Sequence, residues 1–169
     1  MKTGLFVGKF LPLHLGHLNA IKKASLNCDK LFVVVGDDPI KNKKLCDDAK
    51  ISFIDLKTKT EWVKLETKNI KNVVVVPFDE SGIKSSPYGW EDWSKKLKEL
   101  LKEKIDIIFG SEEDYAPYYK AYFPESEYVL QDKNREEINI SSTKIRGDIK
   151  KYFDYIAPSA KPFFEKYLK

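Results

Sequence analysis

The chain has 169 residues, 30 basic and 26 acidic side chains for a formal charge of +4, and 42% hydrophobic residues, enough to bury roughly two-thirds of its unfolded surface around a core without disulfide or metal staples. Two cysteines, Cys28 and Cys46, with no CxxC spacing and no neighbouring histidine, argue against a disulfide framework or a zinc module and are expected as reduced thiols. The longest apolar runs, 31–35 and 73–76, fall far short of the roughly 20 residues that span a bilayer, and Lys9 interrupts the N-terminus too early for a signal peptide, so a cytoplasmic protein with no membrane partner is expected.

Residues 4–7, Gly-Leu-Phe-Val, read as a buried strand cut off by Gly8. After a loop over 9–15, apolar or small residues at Leu18, Ala20, Ile21 and Ala24 predict a helix that closes near Asn27. The continuous run 31–35 has the pattern of a strand covered on both faces, and Gly36-Asp37-Asp38-Pro39 breaks it. Residues 41–44 are expected as a basic, solvated turn, and the spacing of Trp62 and Leu65 predicts at least one helix within 47–69 with both on its apolar face. A third apolar strand, 73–76, runs into a long loop over 77–89, whose place beyond a strand's carboxyl end marks it as a binding element. Trp90, Trp93, Leu97, Leu100 and Leu101 form a helical stripe, 105–109 is a fourth strand stopped by Gly110, 114–123 is a tyrosine-rich helix, and 128–130 is a short fifth strand. Two helices over 141–152 and 159–168 close the chain, with Ser141 and Ser159 as N-caps. Strands alternating with helices imply a parallel sheet with right-handed crossovers, a Rossmann-like α/β/α sandwich forming a single domain over 1–169. In such a sheet ligands bind beyond the strands' carboxyl ends, so the loops after Val7, Val35, Val76 and Phe109 are where chemistry is to be sought.

The first of these loops carries Gly8-Lys9-Phe10-Leu11-Pro12-Leu13-His14-Leu15-Gly16-His17. A helix starting near Leu15 directs free N–H groups and the positive end of its dipole at this loop, an environment that selects anions. His14 and His17 are the only histidines in the chain, and two histidines scattered at random fall three apart in on the order of one case in a hundred. At that spacing both imidazoles face one side of the first turn, Gly16 leaves room between them, and Lys9 adds a charge. A zinc pair is disfavoured because ligand pairs on helices want i, i+4 and further ligands elsewhere. Near the other end stands Ile140-Ser141-Ser142-Thr143-Lys144-Ile145-Arg146. Taken alone it fits a capped surface helix, with an arginine able to fold back toward a polyphosphate.

Together the two segments resemble the HxGH and ISxxxxR signatures of the nucleotidyltransferase superfamily. With Gly89-Trp90-Glu91-Asp92-Trp93-Ser94, Phe109-Gly110-Ser111-Glu112, Tyr155-Ile156-Ala157-Pro158 and Lys161-Pro162-Phe163-Phe164, they look like the adenylyltransferase domain of bacterial NadR-type proteins along essentially the whole chain. Lys59 and Glu61 depart from the pattern, standing where the family usually has arginines before the tryptophan. The resemblance implies an enzyme joining ATP and nicotinamide mononucleotide (NMN) into NAD and diphosphate, by direct attack of the NMN phosphate on the α-phosphorus. It implies catalytic roles for His14, His17, Lys9 and Arg146, and an ATP site of Gly8, Lys9, Phe10, His14, Gly16, His17, Ser111, Asp132, Ser141, Ser142, Thr143 and Arg146. NMN is expected on Phe10, Asp38, Trp90 and Trp93, its cationic ring stacking on an aromatic face, with Trp93 the first choice and Trp90 equally well read as core. Mg2+ is expected to be held mainly by the ATP phosphates, with no metal ligand from the protein.

The expected partners are ATP, NMN and the product NAD, with no nucleic acid, because the lysines are interleaved with acids rather than striped. The cluster Tyr115, Tyr118, Tyr119 and Tyr122 suits packing or the contact of a homo-oligomer. With 169 residues and no GxxxxGK[ST] loop, neither a kinase nor a DNA-binding domain is expected. Competing readings are another HxGH enzyme, a cytidylyltransferase or pantetheine-phosphate adenylyltransferase, and a non-catalytic module that senses NAD.

Overall fold

The computed structural model describes all residues from Met1 to Lys169. Five strands, β1 (Thr3–Gly8), β2 (Lys30–Asp37), β3 (Val73–Asp79), β4 (Ile107–Gly110) and β5 (Glu127–Leu130), form one parallel sheet in the order β3-β2-β1-β4-β5. The connections carry α1 (Leu15–Ser25), α2 (Pro39–Asp48), α3 (Leu56–Thr67), α4 (Trp90–Leu101) and α5 (Ala116–Tyr122), and α6 (Ser142–Gly147), α7 (Ile149–Tyr152) and α8 (Lys161–Phe164) close the chain. This is the α/β/α architecture the alternation of elements implies.

The unbroken apolar runs follow from burial on both faces. Along β2, Leu31, Val33 and Val35 enter a core shared with α1, α3 and the C-terminal helices, while Phe32 and Val34 enter a second core under α4 and α5. At the edge of the sheet β3 is only half covered, and Val74 is 40% exposed despite an equally apolar sequence. The chain moves outward from β1 to β3 and then returns across β1 to β4, so the strand order reverses at the carboxyl ends of β1 and β4.

Several local expectations are corrected. Residues 41–44 lie inside α2, because Asp38 caps it, Pro39 opens it, Asn42 and Cys46 are buried one turn apart, and Lys43–Asp47 (2.8 Å) and Lys44–Asp48 (2.9 Å) pair along its solvent face. In α3 the buried face is Lys59, Thr60, Trp62, Val63 and Thr67, with Leu65 exposed. Similarly, Leu100 of α4 is exposed while Trp90, Leu97 and Leu101 are buried. Strand β3 extends to Asp79, shortening the following loop. The expected helix over 141–152 breaks at Asp148, whose carboxylate caps α7. Ser159 caps nothing: its N–H donates to Glu66 Oε2 at 2.9 Å and its hydroxyl to the Trp62 carbonyl at 3.2 Å, strapping the C-terminal segment to α3.

The strap also reaches the loop after β1. Phe163 and Phe164 pack on Trp62 with ring centroids at 6.0 and 6.3 Å, Ile156 bridges His14 antiparallel, and the Ala157 N–H donates to the Leu13 carbonyl at 3.0 Å. Cys28 and Cys46 are free thiols, and no helix is long and apolar enough to cross a membrane. Phe164 is fully buried, so Phe164→Ala is expected to cost about 3–5 kcal/mol in urea unfolding; a loss below about 1 kcal/mol would show that the segment is not part of the cooperative core.

Candidate functional site

His14 is the N-cap of α1, and its Nδ1 accepts the His17 N–H at 3.3 Å while His17 Nδ1 accepts the His14 N–H at 3.2 Å. This is a capping box built from two imidazoles, which stack with centroids 3.6 Å apart and planes 20° from parallel. A backbone N–H only donates, so each Nδ1 is the unprotonated nitrogen and each Nε2 carries a hydrogen. Burial, followed by the charge of Arg135, pulls His14 down to about 3. Burial, then His14 and Arg135, hold His17 well below its ordinary value. Both rings are thus neutral donors at pH 7. His14 Nε2 is buried without a partner, an arrangement costing about 1–3 kcal/mol unless something outside the chain accepts from it.

The neighbours enforce this geometry. A Cβ on Gly16 would lie 2.9 Å from His14 Cε1, so the stacked rings require glycine there. Phe10, at φ 52° and 1% exposed, lays its ring against Gly8 and meets His17 edge-on at 4.8 Å. Its ring therefore packs behind His17 and is almost fully covered within the protein. Lys9 is exposed on the same loop.

The second motif closes onto the first. Ser141 caps α6, its Oγ accepting the Lys144 N–H at 3.1 Å. Ser142 donates to the Pro12 carbonyl at 3.0 Å, and Arg146 donates through Nη1 to the Leu11 carbonyl at 2.6 Å. Arg146 thus folds back onto the β1–α1 loop, with one of its nitrogens spent on holding it. Thr143 is exposed beside them.

Sequence reasoning passed over Arg135, whose charge acts on both histidines and whose Nη1 is fixed by the Ile140 carbonyl at 2.9 Å. A signal was present: all but two of the 30 basic residues are lysines, and the two arginines, Arg135 and Arg146, both stand by this loop.

On the β2–β3 side, Asp38 is occupied as the cap of α2, accepting from the N–H groups of Ile40 (3.1 Å) and Lys41 (3.3 Å). Its neighbour Asp37 is buried and pairs with the fully buried Lys59 at 2.7 Å, with Asn42 on the same oxygen. Lys59 also donates to the Gly36 carbonyl at 3.1 Å. Burial pulls the Lys59 amine down and Asp37 opposes that shift, so the residue that departs from the family pattern is a structural ion pair. Glu80 lies over Gly36 and accepts the Trp93 indole N–H at 2.8 Å. Its carboxyl is pushed up by burial, against Trp93, Lys9 and Lys59.

Trp93 is half-buried, whereas Trp90 is 8% exposed, stacked on Tyr118 at 5.1 Å and edge-on to Tyr115 and Tyr119. Trp90 thus packs in the core under α4 and α5, one of the two readings its sequence position allowed. Tyr118 and Tyr119 take the packing role, and burial raises the Tyr119 phenol above its ordinary value.

On the β4–β5 side, Ser111 is exposed after β4 and Asp132 follows β5. Asp132 accepts the Glu136 N–H at 2.7 Å and lines a cavity of about 250 Å3 that Gly16, Ala20 and Gln131 also border. No group of three or more His, Cys, Asp or Glu side chains is placed to hold a metal ion. The site offers neutral N–H donors, two guanidiniums, an exposed lysine and a helix N-terminus, a set suited to phosphate oxygens.

A family model described as cytidylyltransferase-like matches residues 5–148. The trifunctional NAD biosynthesis/regulator protein NadR of Escherichia coli (strain K12) is 34% identical over 165 residues, 95% of this chain and 40% of that protein. Phosphopantetheine adenylyltransferase of Clostridium botulinum (strain 657 / Type Ba4) is 41% identical over 78 residues, 46% of this chain and 42% of that protein. A crystal structure of NadR in complex with NR shares the fold with a TM-score of 0.77 at 23% identity, covering 96% of this chain and 45% of that one. The match spans about two fifths of the length of NadR and of the Clostridium enzyme, whereas phosphopantetheine adenylyltransferases of two Mycoplasma species are matched over 95% of their length.

The shift of His14 sets a pH dependence. The unfolded chain takes up a proton near 6.5 that folded His14 refuses until about 3, so this stability is full above 6.5 and is lost as the pH falls from 6.5 toward 3, at about 1.4 kcal/mol per pH unit. His14→Asn, which keeps a capping oxygen, is expected to flatten the dependence of the unfolding midpoint on pH in that window. An unchanged slope would remove His14 as its source.

Proposed function

The chain belongs to the cytidylyltransferase-like family, within the nucleotidyltransferase superfamily, and from that premise we propose that it transfers the adenylyl group of ATP to NMN, giving NAD and diphosphate. The observation that carries this reading is the reciprocal histidine pair, which leaves two Nε2–H donors at the start of α1. Residues 1–169 act as one nucleotidyltransferase domain, in which the segment 141–169 belongs to the site because it holds the β1–α1 loop.

A phosphate oxygen of NMN attacks the α-phosphorus of ATP in line, the new P–O bond completes the dinucleotide diphosphate bridge, and the bond from the α-phosphorus to the β-phosphate oxygen breaks to release diphosphate. No protein nucleophile takes part, and the acceleration comes from positioning and from donors aimed at charged oxygens. His14 and His17 donate through Nε2 to the α-phosphate. Lys9 and the remaining guanidinium N–H groups of Arg146 hold the polyphosphate, with Ser141, Ser142 and Thr143 at the start of α6 beside the leaving diphosphate. Magnesium, held mainly by the ATP phosphates, would offset part of their negative charge when bound. Trp93, half-buried with its indole N–H anchored on Glu80, offers its ring to the nicotinamide cation. The alignment to NadR, 34% identical over 95% of the chain, against 29–30% over 86% for phosphopantetheine adenylyltransferases matched along most of their length, supports the mononucleotide as acceptor.

Incubation with ATP, magnesium and either nicotinamide or nicotinic acid mononucleotide is expected to yield a dinucleotide and diphosphate. Adenylylation of phosphopantetheine with neither mononucleotide consumed would transfer the chain to the other branch of the family. His17→Ala is expected to lower turnover roughly a hundredfold, the scale of one lost transition-state donor, with helix content retained; wild-type turnover would remove His17 from the mechanism. Trp93→Ala is expected to raise KM for the mononucleotide more than KM for ATP, and equal changes would count against stacking.

A further inference from the structure

The two buried polar side-chain atoms that lack a partner are His14 Nε2 and Gln131 Oε1. Gly16 adjoins both, packing against the His14 imidazole and sharing a cavity of about 250 Å3 with Gln131, between α1 and the end of β5. The other polar side chains of that cavity are committed. Asn19 and Lys23 both bond to Glu137 Oε2, and the Asp132 carboxylate accepts the backbone N–H groups of Glu136 and Glu137. Gln131 donates through Nε2 to the Ala20 carbonyl at 3.3 Å. A carbonyl only accepts, so the amide cannot be turned round, and Oε1 is the free end. Buried acceptors are satisfied as a rule, and this one calls for a donor from outside the chain.

The two atoms differ in kind. His14 Nε2 is a donor, suited to an anionic oxygen, and Gln131 Oε1 is an acceptor, suited to an amino group. They match opposite ends of an aminopurine nucleotide, with Ala20 and Leu130 as apolar walls of the cavity. We propose that Gln131 selects the base of the nucleoside triphosphate, its Oε1 accepting a hydrogen bond from the 6-amino group of adenine. The inference rests on the reading that the chain uses ATP. A 6-oxo purine would set its own carbonyl oxygen against Oε1, acceptor against acceptor, and is rejected on that ground.

Purine riboside triphosphate, which is ATP without the 6-amino group, isolates the contact. With the full chain, magnesium and saturating NMN, ATP is expected to show a kcat/KM about tenfold higher than this analogue, the difference lying in KM. In Gln131→Met, which keeps the length of the side chain and removes the acceptor, the ratio is expected to fall to about one while KM for NMN stays unchanged. A purely structural role would weaken both triphosphates alike. Equal use of the two triphosphates by the unaltered chain, or a tenfold ratio retained in Gln131→Met, overturns the assignment. Calorimetric binding of each triphosphate to the unaltered chain separates this from the wider reading. About tenfold weaker binding of the analogue supports Gln131 even where no mononucleotide is consumed, and equal binding overturns it.

Discussion

The reciprocal bond between His14 and His17 is the constraint on which the site depends. Each ring gives its Nδ1 to the other residue's backbone N–H, and that single arrangement decides the tautomers and leaves both Nε2–H groups as donors, while burial keeps both rings uncharged. Histidines free to rotate would present either nitrogen and would titrate near neutrality. Here a helix-capping motif does the positioning, so the donors are fixed before any ligand arrives. Fixed donors of this kind are what stabilise developing charge at low reorganisation cost.

The capping box is held in turn from outside. Leu11, Pro12, Leu13 and His14 are tied by Arg146, Ser142, Ala157 and Ile156, residues more than a hundred positions later in the chain. The C-terminal strap is tied to α3 by Ser159, Phe163 and Phe164. The loop after β1 is thus held by residues near the other end of the chain, which are themselves packed on Trp62 of α3.

Around this loop the reversal of strand order makes two unlike sides. Beyond β2 and β3 lie the buried Lys59–Asp37 pair and the Glu80–Trp93 contact; beyond β4 and β5 lies the cavity of Gly16 and Gln131. A buried ion pair contributes little net stability after desolvation and more to specifying one arrangement, and Asn42 and the Gly36 carbonyl complete its hydrogen bonds. The proposed joining of two nucleotides draws on both sides, Trp93 on the one and Gln131 on the other.

The strand runs, their alternation with helices and the paired histidines were legible in the amino-acid order, because local apolar patterning and spacing along one helix turn are properties of neighbouring residues. The half-exposed edge strand β3, the helix through 39–48 and the break at Asp148 were not, since strand position, buried helix faces and competing caps depend on what each segment meets. The same division runs through the site. The sequence by itself determined the fold class and the loop of Gly8 to His17, and pointed to His14, His17 and Arg146 as the groups around it. Only the tertiary structure decided that Phe10 and Trp90 are buried supports, that Asp38 is a helix cap, and that Arg135, Glu80 and Gln131 belong in the account. Each of those outcomes is set by contacts between residues distant in the chain, where burial and hydrogen-bond partners, rather than residue type, assign the role.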